Sequence, residues 1–273
     1  MQPFKLSIVL SCQATKFDAA TLTGNFEHNL SFLAGLGYEG VELAIRNPDE
    51  IDFSKMHELL NKYKLTVPAI GTGQVWAEEK LSFSDPDESI RDHAIRRIIA
   101  HIPEASQLKA NIIVGLIRGK TQPGVSREQA IDWMVNGLKT SAQTAAAQGV
   151  SLCLEPINRY ETDLVNTVAE GLDLINQIGM DNLGLLVDTF HMNIEEADIY
   201  DSIKKAGHKI FHFHIADSNR WYPGAGHLDF AKILTSLRET GYAGFISGEF
   251  LPTPDPETAA ERGIKQIKSV NVH

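Results

Sequence analysis

Short apolar segments alternate with longer amphipathic segments about eight times along this chain of 273 residues. The short segments are typical of buried strands, and the longer ones carry apolar residues at helical spacing, most clearly at 25–36, 89–108 and 126–148. Strand–helix alternation with a period of roughly 34 residues predicts parallel strands that close into a (β/α)8 barrel. The predicted strands are 5–11, 40–45, 66–71, 110–115, 150–155, 184–188, 210–214 and 244–249.

The length of the chain is compatible with one such barrel. At 273 residues it exceeds a common domain size, but single α/β barrels typically have about 250 residues. No linker rich in Pro, Gly or Ser divides the sequence. No Gly-x-Gly-x-x-Gly motif follows the first predicted strand, as a dinucleotide-binding fold would require. We therefore expect a single α/β barrel domain over residues 1–273.

Potential metal ligands stand at the ends of four successive predicted strands in the second half of the chain. These residues are Glu155, Asp188, His214 and Glu249. Active-site residues of such barrels lie where the carboxyl ends of the strands meet, so the four side chains should surround one small volume. Three carboxylates and an imidazole suit a hard or borderline divalent cation. The sequence therefore predicts a metal site at this mouth of the barrel.

The remaining strand ends carry a different set of groups. Arg46, Gln74 and Arg118 follow the second, third and fourth predicted strands, together with glycines and apolar residues. Acid and imidazole groups thus belong to one half of the barrel, while amide, guanidinium and backbone groups belong to the other. This asymmetry indicates metal binding on one side and substrate recognition on the other.

Composition and charge narrow the range of partners. The net charge of −10 argues against a nucleic-acid backbone as the natural partner, because phosphate binding relies on clustered Lys and Arg. No segment has the roughly 18 to 20 continuous apolar residues of a membrane span, and the first residues lack the pattern of a signal peptide. We expect a cytoplasmic protein that acts on a small molecule, with Cys12 and Cys153 reduced.

Three motifs in the second half of the chain carry a family resemblance. They are LEPINRYETD at 154–163, VDTFHMN at 187–193 and FHFHIADSNR at 211–220. The chain resembles the xylose isomerase-like barrel superfamily over nearly its whole length. Within that superfamily it is similar to the ketose 3-epimerases, the group containing D-tagatose and D-psicose 3-epimerases. It is most similar to the bacterial 5-keto-L-gluconate epimerases of inositol catabolism.

The resemblance implies an epimerase of a ketose or keto-uronate that uses one divalent ion, with Mn2+ expected ahead of Co2+, Mg2+ and Zn2+. Glu155, Asp188, His214 and Glu249 would bind the ion. Epimerisation beside a ketone removes a proton from one face of a carbon and returns a proton to the other, which requires two acid/base groups. By the family pattern these groups are Glu155 and Glu249, while the cation would stabilise the enediolate.

Other residues are expected to bind the substrate. We expect His191 and Arg220 to donate hydrogen bonds to the substrate carbonyl oxygen. Glu161 should accept from a substrate hydroxyl or contact a catalytic carboxylate, and Gln74 is a further candidate for substrate contact.

Three further histidines are expected to have structural roles or to lie at the surface. His212 has the same inward parity as His214, one layer deeper in the barrel. We expect it to be hydrogen-bonded in the core or beside the ligands, with direct ligation as the alternative. His93 and His101 fall in a predicted helix and are expected at the surface.

Arg46 and Arg118 carry a hypothesis about the charge of the substrate. A guanidinium can bind a sugar carboxylate in a bidentate way. If one or both arginines do so, the substrate is a keto-uronate such as 5-keto-L-gluconate or D-tagaturonate. The alternative for each arginine is a salt bridge between loops.

Three other functions are compatible with the same barrel. An aldose–ketose isomerase would use a similar metal site to move a carbonyl between C1 and C2. An abasic-site endonuclease would need three metals and additional histidines on early strands, which the segments 71–74 and 115–118 do not contain. A non-catalytic sugar-binding barrel would not be expected to keep both Glu155 and Glu249. By analogy with relatives we expect a homo-oligomer, either a dimer or a tetramer.

Overall fold

Eight parallel strands form a closed barrel in the computed structural model, which describes residues 2–15 and 19–271. Each strand pairs with the next along the chain, and the last strand pairs with the first. The strands are β1 (Lys5–Ser11), β2 (Glu42–Ala44), β3 (Ala69–Gly71), β4 (Asn111–Val114), β5 (Leu152–Leu154), β6 (Leu183–Asp188), β7 (Ile210–Ile215) and β8 (Phe245–Gly248). The prediction of a (β/α)8 barrel is confirmed.

Helices connect the strands and surround the barrel. The described residues contain ten α-helices, α1 (Phe26–Leu36), α2 (Phe53–Tyr63), α3 (Gly73–Glu79), α4 (Glu88–Leu108), α5 (Arg127–Ala146), α6 (Val168–Ile178), α7 (Thr189–Glu195), α8 (Ile199–Ala206), α9 (Phe230–Glu239) and α10 (Pro256–Val270). Short 3-10 turns lie at Pro48–Glu50, Leu116–Arg118 and Gly207–Lys209. No helix in this described part of the chain has the length and apolar character needed to cross a membrane.

Polar side chains determine where several helices begin. The hydroxyl of Thr167 accepts from the backbone N–H of Glu170, and the carboxylate of Glu170 accepts from the backbone N–H of Thr167, which forms a capping box at the start of α6. Asn25 and Asp52 accept in the same way from backbone N–H groups in the first turns of α1 and α2. These contacts satisfy N–H groups that have no partner within the helix.

The strands present apolar side chains on both faces. The main core packs helices against the outside of the barrel and includes Leu10, Ile45 and Phe213, which are fully buried. A smaller cluster of Ala69, Ile113, Cys153 and Leu186 fills part of the barrel interior. The polar side chains that enter the barrel near the carboxyl ends of the strands form the candidate site.

Candidate metal centre and substrate pocket

Four side chains that are far apart in the sequence meet at the mouth of the barrel. Glu155 directly follows β5, Asp188 ends β6, His214 lies in β7 and Glu249 directly follows β8. One possible ligand atom of each residue lies within 4.8 Å of those of the other three. His214 Nδ1 is 3.6 Å from Asp188 Oδ2 and 3.7 Å from Glu249 Oε2. The structure thus brings together the four residues that the sequence predicts as metal ligands.

The electrostatics of this cluster fit a bound cation. All four residues are buried, and neither Glu155 Oε1 nor His214 Nδ1 has a hydrogen-bond partner. A buried polar atom without a partner is costly, so these two atoms point to a ligand that contacts both. Burial, and after it the charge of Glu249, raises the pKa of Glu155 well above its usual range. A divalent cation would offset the repulsion among the carboxylates, and the set of donor atoms suits one.

The helix that follows Asp188 orients its carboxylate. Asp188 Oδ1 accepts hydrogen bonds from the backbone N–H groups of Phe190 and His191, at 2.7 and 3.2 Å, in the first turn of α7. Burial raises the pKa of Asp188, but His214 at 3.6 Å, the nearby His191 and the Arg220 guanidinium outweigh it and lower the pKa to about 2. Asp188 is therefore ionised, and its second oxygen, Oδ2, remains free to bind a cation beside His214.

A fourth buried carboxylate group, which the sequence interpretation missed, contacts the histidine of this cluster. Glu42 Oε2 lies 2.7 Å from His212 Nε2 and 2.9 Å from His214 Nε2. Burial raises the pKa of Glu42, but the charge of His214 and the hydrogen bond from His212 hold it well below its usual range. The structure places His212 in a hydrogen-bonded position behind His214, as the sequence analysis expects. Glu42 is the one charged residue of the otherwise apolar predicted strand 40–45, and this pattern could have indicated a buried functional carboxylate.

Asn158 fixes the orientation of the His191 ring. The Asn158 side-chain oxygen accepts from the backbone N–H of Tyr160 at 3.0 Å, so its amide nitrogen faces Glu161 Oε1 at 2.8 Å and His191 Nδ1 at 2.9 Å. Because the amide nitrogen donates, His191 Nδ1 accepts and the proton resides on Nε2. Nε2 lies 3.7 Å from Glu155 Oε1, and burial lowers the pKa of His191. The structure thus presents a neutral imidazole N–H to the candidate metal centre.

Arg220 lines the same pocket as His191. Its backbone has a φ of 61° and is held by hydrogen bonds to Asp217 and Leu251. The guanidinium stacks 5.0 Å from the centroid of the Phe190 ring. It lies 3.3 Å from Glu161 Oε1 and 3.6 Å from Glu249 Oε2. Arg220 and Glu161 are therefore both adjacent to the candidate metal centre.

A pocket lies next to the cluster and is lined by Glu155 and Glu249, with about 500 Å³ of empty space that includes open solvent. Its polar wall includes Glu42, Gln74, Glu161, His191 and Arg220, in addition to Glu155 and Glu249. Gln74 donates from Nε2 to the hydroxyl of Ser11 at 2.7 Å, while its Oε1 has no hydrogen-bond partner. Gly115 forms part of the floor, where a Cβ atom would lie 2.8 Å from Glu155 Oε2. A larger residue at this position would therefore displace the Glu155 carboxylate.

Neither Arg46 nor Arg118 lines the pocket, in contrast to their predicted role in substrate binding. Arg46 forms ion pairs of 2.8 to 3.4 Å with three glutamates, Glu50, Glu78 and Glu79, which matches the alternative of a salt bridge between loops. Arg118 is fully buried, and its guanidinium donates to the backbone carbonyls of Glu155, Leu164 and Val165. Both guanidinium groups therefore pair with other groups of the protein and do not face the pocket.

A closed α/β barrel with a candidate metal centre at the carboxyl ends of its strands has the architecture of a barrel enzyme. Residues 30–270 match the family described as xylose isomerase-like TIM barrel. The chain belongs to this family.

The chain is also similar to individual ketose 3-epimerases. Over 238 residues it is 32% identical to an L-ribulose 3-epimerase of Mesorhizobium japonicum, which covers 85% of this chain and 78% of the relative. It is 30% identical over 230 residues to a D-psicose 3-epimerase of Ruminiclostridium cellulolyticum, which covers 81% of this chain and 77% of the relative. A solved structure of an L-ribulose 3-epimerase has a TM-score of 0.83 at 27% identity and covers 99% of this chain and 95% of that chain. These relatives confirm the predicted similarity to ketose 3-epimerases.

Proposed function

We propose that this chain is a divalent-metal-dependent epimerase of a ketose, acting at the carbon next to the ketone. The observation that carries the proposal is that Glu155 and Glu249 meet in one buried cluster and both line the pocket. Inversion of a carbon beside a ketone requires two acid/base groups at one site. The relatives named as 3-epimerases support carbon 3 as the reacting position.

In this scheme Glu155 and Glu249 act on opposite faces of the bound sugar. One carboxylate removes the proton from the reacting carbon, and the other returns a proton to the opposite face. Reversal of these two roles runs the reaction in the other direction. When bound at Glu155, Asp188, His214 and Glu249, a divalent ion would supply Lewis-acid polarisation of the ketone.

His191 and Arg220 are the proposed donors to the ketone oxygen. The hydrogen bond from Asn158 to Nδ1 of His191 directs the Nε2–H group of His191 towards the cluster. The Arg220 guanidinium stacks on the ring of Phe190, the residue next to His191. Both donors would stabilise the negative charge that develops on this oxygen as the proton leaves carbon. Glu161 accepts hydrogen bonds from both Asn158 and Arg220. It therefore helps to position Arg220 directly and His191 through Asn158.

Gln74 is proposed to contact a hydroxyl group at the other end of the sugar. Its amide nitrogen is already used by Ser11, whereas its carbonyl oxygen has no partner. A sugar hydroxyl that donates to this oxygen would satisfy it.

The proposal has two forms, in which the substrate is either a neutral ketose or a negatively charged keto-uronate. Among the described residues that line the pocket, Arg220 is the one guanidinium or ammonium group, and it is already paired with Glu161 and Glu249. This pairing favours a neutral ketose, because a sugar carboxylate would meet no unpaired cationic group of the described residues. The motif resemblance to 5-keto-L-gluconate epimerases favours a keto-uronate, either 5-keto-L-gluconate or D-tagaturonate.

Steady-state kinetics on a panel of sugars test the proposal. The purified enzyme with added Mn2+ is assayed on L-ribulose, D-psicose, D-tagatose, D-fructose, 5-keto-L-gluconate and D-tagaturonate, and the products are identified by NMR. The ratio of kcat/KM for the acids to that for the neutral sugars decides between the two forms. We expect an epimeric ketose or keto-uronate as product, whereas an aldose would identify the chain as an aldose–ketose isomerase.

Glutamine variants test the two acid/base roles. We expect Glu155→Gln and Glu249→Gln each to lower kcat by about 10²- to 10⁴-fold, the usual contribution of a general acid or base. Glu58→Gln is the matched control, because Glu58 lies exposed on α2 and pairs only with Lys55 among the contacts described. Near-normal turnover of either pocket variant would overturn the two-base scheme.

A further inference from the structure

Glu42 lies across the barrel lumen from the histidine of the candidate metal centre. It begins β2 and is 1% exposed, and 172 residues separate it from His214 in the chain. The two residues belong to strands that are not neighbours in the barrel, so their contact crosses the interior. A buried carboxylate is retained where hydrogen bonds replace the lost water. The partners of Glu42 therefore indicate what the residue does.

One oxygen of Glu42 faces two imidazole rings. Nε2 of His212 and Nε2 of His214 lie 2.7 and 2.9 Å from Glu42 Oε2. An ionised carboxylate oxygen only accepts hydrogen bonds, so each of these ring nitrogens carries a proton. A histidine that binds a metal is neutral, so its second ring nitrogen then has a free lone pair. For His214 this nitrogen is Nδ1, which lies in the cluster of candidate ligands and has no hydrogen-bond partner.

We propose that Glu42 is a positioning residue for the metal ion, because it holds His214 in the Nε2–H form and so presents Nδ1 to the cation. A carboxylate behind a metal-binding histidine also increases the basicity of the ligand. His212 supplies a second donor that holds the carboxylate in place, with its ring edge-on to His214 at a centroid distance of 5.1 Å. The inference rests on the metal-binding part of the proposed function and not on which sugar reacts.

Calorimetric titration of the metal-free protein with Mn2+ tests this role. Glu42→Gln removes the charge and replaces one acceptor oxygen with a donor, so we expect the Kd for Mn2+ to rise by about 10- to 100-fold, as for other outer partners of metal ligands. His212→Gln is the matched control, because a glutamine side chain keeps an N–H donor near the position of Nε2. We expect its Kd to stay close to that of the wild type.

Three results would overturn the inference. They are an unchanged Kd in Glu42→Gln, an equal loss in both variants, and a second bound Mn2+ that disappears in Glu42→Gln. The last result would mean that Glu42, His212 and His214 themselves bind a cation. Absence of epimerisation by the wild type with Mn2+ bound would count against the proposed function and leave the role of Glu42 intact.

A measurement on the wild type covers the case in which Glu42→Gln does not fold. In 15N NMR spectra of the protein saturated with Mg2+, which is diamagnetic, we expect the His214 proton on Nε2 and an unprotonated Nδ1. The opposite tautomer would overturn the inference.

Discussion

Two arginines at equivalent positions show how the surroundings of a side chain decide its role. Arg46 and Arg118 both follow barrel strands, and from sequence both were candidates for binding a carboxylate. Arg46 instead pairs with glutamates of neighbouring segments. Arg118 donates to three backbone carbonyls, one of which belongs to Glu155. Arg118 therefore fixes the backbone beneath a candidate catalytic residue.

Replacement of Arg118 with Met should lower the free energy of unfolding by about 3 kcal/mol or more, because three buried carbonyls lose their donors at about 1–3 kcal/mol each. Arg127→Met is the control, since the Arg127 side chain is 52% exposed and lies 4.0 Å from Glu170, which is 44% exposed. That variant should lose less than about 1 kcal/mol. Urea denaturation measures both values. If Arg118→Met is as stable as the wild type but selectively loses activity on keto-uronates, Arg118 binds the substrate and the structural role is wrong.

Sequence reasoning missed side chains whose partners lie far away in the chain. The prediction that His101 is a surface residue is wrong: it is 1% exposed, and its ring nitrogens contact the carbonyl oxygens of Arg97 and Ile45 at 2.7 and 3.0 Å. Helical periodicity shows which residues share a face but not what covers that face. Glu42 was missed for the same reason, because its contact with His214 depends on closure of the barrel.

At the level of elements, local sequence signals were sufficient for the positions of strands and helices. All eight predicted strands overlap the observed ones, and α1, α4 and α5 match their predicted ranges within two residues. Strands β2, β3 and β5 contain three residues each, fewer than the predicted apolar segments. Most of this shortening is at the amino ends, where the predicted segments begin two or three residues before the observed strands.

The capping box of α6 provides a test at this scale. Thr167→Ala removes the side-chain acceptor at the start of the helix and should lower the free energy of unfolding by about 1 kcal/mol. Thr235→Ala is the same substitution within α9, where the hydroxyl donates to the carbonyl of Ala231. That variant should be neutral or slightly stabilising, since alanine has the higher helix propensity. Thermal and urea unfolding compare the two variants, and equal effects would contradict the assigned role of the cap.

For the whole molecule, closure of the barrel turns scattered residues into one site. Glu155, Asp188, His214 and Glu249 come from four consecutive strands, and the network behind them includes Glu42 from the far side of the barrel. The sequence predicted this convergence because parallel strands in a closed barrel direct their carboxyl ends to one mouth. It did not predict how the pocket is shaped, since that depends on contacts such as those of Gly115 and Arg118.

The most direct test of the proposed epimerisation is solvent deuterium exchange in D2O with Mn2+ present. If Glu155 and Glu249 exchange the proton of the carbon next to the ketone, NMR will show deuterium at carbon 3 of the epimeric product. No deuterium should enter carbon 1. Deuterium at carbon 1 or 2 with formation of an aldose, or formation of the epimer without any deuterium, would contradict the account.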